Sequence, residues 1–90
     1  MNELRMSYTI LKEIAVLNVG SNGWTKEVNL ISWNGAEAKY DIRWWPPNKK
    51  AIGKGMTLTP KEMHELGNVL HTLPQNLHEE YRKESLSHGS

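Results

Sequence analysis

Lys39-Tyr40-Asp41-Ile42-Arg43-Trp44-Trp45 decides how this 90-residue chain is read. In an extended strand, successive side chains point to opposite faces. Tyr40, Ile42 and Trp44 then share one face, which reads as a core face, while Lys39, Asp41, Arg43 and Trp45 share the other. The second set is a row of charges that ends in a large aromatic ring. A flat ring in line with cations suits a ligand with stackable faces and negative charge, and nucleic acid with unpaired bases is such a ligand.

Working outward, Asn34-Gly35 just upstream is a hairpin signal, and Trp24 to Trp33 before it reads as a strand. On that strand Val28 and Leu30 lie with Trp24 and Lys26, and Ile31 and Trp33 lie opposite. Gly20-Ser21-Asn22-Gly23 is a second reversal, preceded by a long strand-like run from Tyr8 to Val19 with apolar residues on both parities. Downstream, Pro46-Pro47-Asn48 ends the third strand because proline cannot donate to a ladder. Gly53 to Leu58 makes a short fourth strand. Thr59-Pro60-Lys61-Glu62 is a helix start: Thr59 caps, Pro60 takes the first helical position and Glu62 completes a capping box. The helix is expected to run to about Thr72, stopped by Pro74. Met63, Leu66, Val69, Leu70 and Leu73 form one apolar stripe on it, bordered by Gly67. Glu79 and Lys83 at helical spacing leave room for a weak helix in the tail.

The expected fold is α+β: a four-stranded antiparallel β-meander and then a C-terminal α-helix (β-β-β-β-α). It divides into a loose N-terminal arm (1–7), one domain (8–73) and a polar tail (74–90). A chain of this size buries only about 60–65% of its unfolded surface, and no cysteine staples it. Dimer formation is the expected remedy, through Met63, Leu66, Gly67, Leu70 and Leu73. The absence of cysteine, of a secretory leader and of any long apolar run gives a cytoplasmic protein as the expectation. Net charge is only +1, but residues 39–54 carry five cations against one acid, and residues 61–90 carry three cations against five acids. The basic part coincides with the aromatic strand.

Asp41-Ile42-Arg43, then Trp45, Pro47, Gly53-Lys54-Gly55, Leu58 and Pro60 resemble the positive cofactor four family of transcriptional coactivators. The longer pattern Gly23-Trp24, Lys26-Glu27, Ser32-Trp33-Asn34 and Lys39-Tyr40-Asp41-Ile42-Arg43 is similar to its bacterial YdbC-type branch. The resemblance spans about Tyr8 to Leu73 and is most specific in its middle third. It implies a curved sheet backed by the C-terminal helix, a two-fold dimer made through that helix, and single-stranded DNA held over the sheet with little sequence preference. Carried over residue by residue, it implies nucleic-acid contacts at Arg43, Trp45 and Lys54, with Trp33 and Lys39 as the second-strand aromatic and its neighbouring lysine. The loop between Trp33 and Lys39 differs in length from the family pattern. Lys26, Lys49 and Lys50 complete the candidate cations.

Each signal has a plainer reading. Trp44 shares parity with Tyr40 and Ile42 and is expected in the core; Trp45, beside Arg43 and Lys39, is expected to stack on bases. Trp24 and Trp33 compete as the second platform, and Trp33 is preferred. Lys54 between two glycines is not part of a nucleotide-binding phosphate loop, because Asn48 stands where that motif needs glycine and Gly55 where it needs Ser or Thr. His64, His71 and His78 recur every seven residues, too far apart on a helix for shared metal ligation. Asp41 reads as a salt-bridge partner that steadies Arg43. With no nucleophile–base pair, the expectation is no catalysis, no cofactor and no metal. The function expected is sequence-nonspecific binding of single-stranded DNA, with RNA open, in transcription or DNA maintenance. The alternative is a protein-interaction module whose aromatic face or sheet edge grips a peptide.

Overall fold

The computed structural model describes residues 7–88, with side chains as far as Arg82. Apart from Ser7, the expected N-terminal arm lies outside the described residues. Strands β1 (Tyr8–Val19), β2 (Thr25–Trp33), β3 (Lys39–Trp45) and β4 (Gly55–Leu58) precede helices α1 (Pro60–Thr72) and α2 (Leu77–His88). The strands form one sheet in the order β1-β2-β3-β4, with every neighbouring pair antiparallel. The polar tail carries α2, where a short helix was expected.

The turns follow from local chemistry. Asn34 (φ 53°) and Gly35 (φ 75°) both adopt positive φ, and the Ala36 N–H donates to the Trp33 carbonyl at 2.9 Å. A two-residue hairpin loop requires this geometry. In the first hairpin the Gly23 N–H donates to Gly20, and Gly23 itself takes φ 87°, giving a longer loop than Asn-Gly alone would make. At the head of α1, Thr59 Oγ1 accepts from the Glu62 N–H at 3.1 Å while Glu62 Oε1 accepts from the Thr59 N–H at 2.9 Å. The capping box is complete.

Cross-strand partners put Thr25, Glu27, Asn29 and Ile31 on the same face as Lys39, Asp41, Arg43 and Trp45. Lys26, Val28 and Leu30 share the other face with Tyr40, Ile42 and Trp44. The sheet curls strongly toward the first face. Tyr8 pairs with Trp33 at one end of β2 and Trp45 pairs with Thr25 at the other, yet the Tyr8 and Trp45 rings lie 5.1 Å apart. In a flat strand those ladder positions would be roughly 26 Å apart. Three register shifts in β1, between Ile10 and Lys12, Glu13 and Ala15, and Val16 and Asn18, supply bends of the kind bulges produce. We call the concave side the inner face and the convex side the outer face.

This curl reverses the expected burial of β3. Trp45 and Asp41 on the inner face are fully buried, whereas Tyr40, Ile42 and Trp44 on the outer face are only half-buried. The inner face closes because the loop after β3 folds back on it, with the Tyr8 hydroxyl donating to the Lys49 carbonyl. Side chains alternate as expected, but curvature decides which side is sealed. Among the described residues, helix α1 packs only on β3 and β4 and buries no residue completely; Val69, Leu70 and Leu73 stay exposed.

Candidate nucleic-acid interface

On the inner face, sequence-predicted residues are brought together but tied down. Arg43 Nε and Nη2 donate to the two oxygens of Asp41 at 2.8 and 2.9 Å, and Nη1 donates to the Gly53 carbonyl at 2.8 Å. Thr57 Oγ1 adds a hydrogen bond to Asp41 at 3.0 Å. The Arg43 guanidinium lies 5.1 Å from the centre of the Trp33 ring, which packs against Tyr8. That separation is within cation–π range. The expected Asp41–Arg43 salt bridge is therefore present, bidentate and largely shielded from solvent. Lys49 Nζ pairs with Glu27 at 3.1 Å. Trp45, expected to face outward and stack, has no exposed surface, so in this arrangement it supports Tyr8 and the loop instead.

Glu27 is held by Thr25 Oγ1 at 2.6 Å, Asn29 Nδ2 at 3.1 Å and Lys49. Burial alone would raise its pKa, but these three hydrogen bonds and the Lys49 charge outweigh burial and leave the carboxyl below its usual range. Three buried polar atoms lack a partner among the described residues: Asn29 Oδ1 and the indole Nε1 of Trp33 and Trp45, all on the inner face.

The outer face is different. A groove of about 380 Å³ is lined by Gly20, Ser21, Asn22, Trp24, Trp44 and Lys54. A second cavity of about 340 Å³ shares Trp44 and Lys54 with it and adds Lys26, Ile42, Arg43, Gly55 and Met56. Among the described residues, no acidic side chain lines either one. Lys26 Nζ sits 5.2 Å from the Trp44 ring centre. Trp24 and Trp44 are half-buried, and Lys54 is exposed. Gly53 sets the spacing: a Cβ there would run into the Trp44 carbonyl oxygen and lie 2.9 Å from Trp24 Cζ3. Only glycine lets the loop pass between the two tryptophans.

The structure thus distributes the predicted cations and aromatics over two faces. Arg43, Trp33, Trp45 and Lys49 cluster inside. Lys39 lies at an exposed inner-face position opposite Ile31. Lys26 and Lys54 line the outer cavities, and Lys50 is exposed on the loop and lines neither of them. Trp44, which lines the outer groove, is the tryptophan that sequence reasoning places in the core, and Trp24, beside it, is the one it ranks second. The signal that could have found them is Lys26 opposite Trp44 in the β2–β3 register, which follows once both hairpin loops are fixed.

Among the described residues, no group of three or more His, Cys, Asp or Glu side chains could hold a metal ion, and no helix is long and apolar enough to cross a membrane. An uncharacterized protein of Treponema pallidum (strain Nichols) is 42% identical to this chain over 66 residues, which are 73% of this chain and 78% of that protein. Residues 21–69, which hold the first hairpin loop, β2, β3, β4 and most of α1, match the family described as Transcriptional Coactivator p15 (PC4). The match covers more than half of the chain, and the chain belongs to the PC4 family.

Proposed function

We propose that this protein binds single-stranded DNA without reading its sequence, along the outer groove, with Trp24 and Trp44 stacking on bases and Lys26 and Lys54 meeting phosphates. Family membership points to single-stranded DNA binding and transcription coactivation. The observation that carries the residue-level reading is the acid-free groove, with two half-buried indoles and two lysines joined end to end. Bases stack on indoles whatever their identity, and lysines track the backbone, which is how strands are held non-specifically. Trp33 and Lys39 at the rim of the inner face are a secondary contact in this reading.

The protein acts in this proposal as a two-fold dimer. Among the described residues the buried apolar side chains are Val28, Ile31, Trp45 and Pro46, a thin core for a chain of this size. Met63 and Leu66 are half-buried, and Val69, Leu70 and Leu73 continue the same stripe into solvent. A second copy of α1 would cover that stripe and add the missing apolar burial.

The test is a titration of oligo-dT against intrinsic tryptophan fluorescence at two salt concentrations, with duplex of equal length as control. Quenching by single strand, weaker by duplex and weakened by salt, is expected. Equal binding of duplex, or none of single strand, rejects the proposal. The same groove also fits the second reading, an aromatic cleft for a peptide; oligonucleotide contact that is weak and insensitive to salt would favour it.

A further inference from the structure

Two rungs of side chains cross the outer face next to one another. In the first, Lys26 stands opposite Trp44, whose N–H donates to the Lys54 carbonyl at 3.0 Å. In the second, two residues along each strand and so about 7 Å away, Val28 is partnered with Ile42 and Ile42 with Met56. The first rung carries the cations and the ring of the proposed groove. The second is wholly apolar, and its outermost member, Met56 on β4, is 58% exposed. The outer cavity of about 340 Å³ takes in both rungs: Ile42, Trp44 and Met56 give it apolar walls, and Lys26 and Lys54 give it charge.

Backbone packing fixes where Met56 sits. A Cβ on Gly55 would run into the Ile42 carbonyl oxygen and Arg43 Cβ, so only glycine lets β4 lie this tightly on β3. The methionine side chain itself is unbranched and adaptable, and its sulfur makes favourable contacts with aromatic rings. Exposed apolar surface rimmed by polar groups marks a binding site. Here the rim is two ammonium groups with no acid among the described lining residues, which selects an anionic occupant. The thioether and the neighbouring indole call for one that also brings an aromatic face. A nucleotide carries both.

We propose that Met56 is a further base-binding residue, packing its thioether on the base that follows the one stacked on Trp44. The proposal rests on strand binding in the outer groove and adds to it a base seat with no ring of its own. A chemical consequence comes with it. Hydrogen peroxide transfers one oxygen atom to the exposed sulfur: an S–O bond forms, the O–O bond breaks, the sulfur is oxidised to the sulfoxide and the peroxide leaves as water. The polar sulfoxide no longer packs on a base, so strand binding becomes sensitive to peroxide. Among the described residues the other methionine is Met63, half-buried on α1.

The test compares the parent, Met56→Ala, Met56→Leu and Trp44→Ala by fluorescence anisotropy of labelled oligo-dT, before and after peroxide, with light scattering for molecular mass. Met56→Ala is expected to bind about 5-fold more weakly than the parent, with its Tm and salt slope unchanged. Met56→Leu, which keeps the volume, should stay within about 2-fold of the parent. Peroxide should weaken the parent about as much as the alanine substitution does and leave Met56→Leu as it was. Parental affinity in Met56→Ala, with Trp44→Ala weakened, overturns the seat and leaves the groove reading standing. Parental affinity in both variants rejects the seat and the groove reading together. Weaker binding by Met56→Ala that comes with a fall in molecular mass also overturns the seat, because Met56 would then serve a contact between copies. Equal loss on peroxide treatment in the parent and Met56→Leu overturns the assignment of the sensitive group to Met56.

Discussion

Two cation–aromatic pairs sit on opposite faces of one sheet: Arg43 at 5.1 Å from the Trp33 ring centre and Lys26 at 5.2 Å from that of Trp44. The contacts are nearly equal in length and opposite in circumstance. Arg43 commits its donors to Asp41 and the Gly53 carbonyl, so its charge is balanced and its position fixed. Lys26 has no ion-pair partner among the described residues and lines an open groove beside a half-buried ring. The same pairing of residue types is scaffold on one face and an available surface on the other. What separates them is the neighbouring carboxylate, present inside and absent outside.

The sharpest way to break this contrast is Asp41→Ala. It strands the arginine beside a buried aromatic cluster, and removal of one partner from a buried pair costs about 3–5 kcal/mol. A large fall in Tm by calorimetry is expected; a change within error would mean that the inner pair is not structural. Next in size is Trp44→Ala, which should weaken oligo-dT binding by about 1–3 kcal/mol, the worth of one stacked base. Its salt dependence should stay unchanged, and its Tm should fall far less than that of Asp41→Ala. An unaltered Kd would remove Trp44 from the groove's function.

Lys26→Ala or Lys54→Ala should act in the complementary way, lowering the slope of log K against log salt by about 0.7 for each phosphate no longer neutralised. Lys50→Ala, which lines neither outer cavity, should leave the slope as it is. The smallest effect concerns Glu27. Its lowered pKa means that folded protein prefers the charged carboxylate, so the stabilisation is present above the ordinary carboxylate pKa and is lost as pH falls through the folded value. Between about pH 5 and pH 3 the parent should lose more stability than Glu27→Gln. Parallel Tm–pH curves would contradict the hydrogen-bond account of Glu27.

Much of the architecture is legible from local signals. Both Asn-Gly reversals, the Pro46-Pro47 stop and the Thr59–Glu62 capping box act within a few residues, and the strand and helix boundaries follow them closely. The Asp41–Arg43 pair is legible too, because residues two apart on a strand share a face. The site is less so. Trp45 is sealed by Tyr8 and by a loop that Tyr8 grips through Lys49, contacts that join distant parts of the chain and depend on how far β1 bends. Alternation assigns a side chain to a face; it does not tell whether that face is concave. For the same reason sequence alone puts Trp44 in the core, although its groove depends on Gly53 passing under Trp24 from another part of the chain.

The three irregularities of β1 also bear on how the molecule keeps company with itself. This strand ends the sheet and presents Leu11, Ile14, Val16, Leu17 and Val19, each at least 42% exposed. A long aliphatic border of that kind is a template for fibre-like zipping of one molecule onto the next. Interrupting it three times within twelve residues denies an incoming strand any long run of matched donors and acceptors. Straightening the border by deleting those extra residues should thus raise the protein's tendency to polymerise.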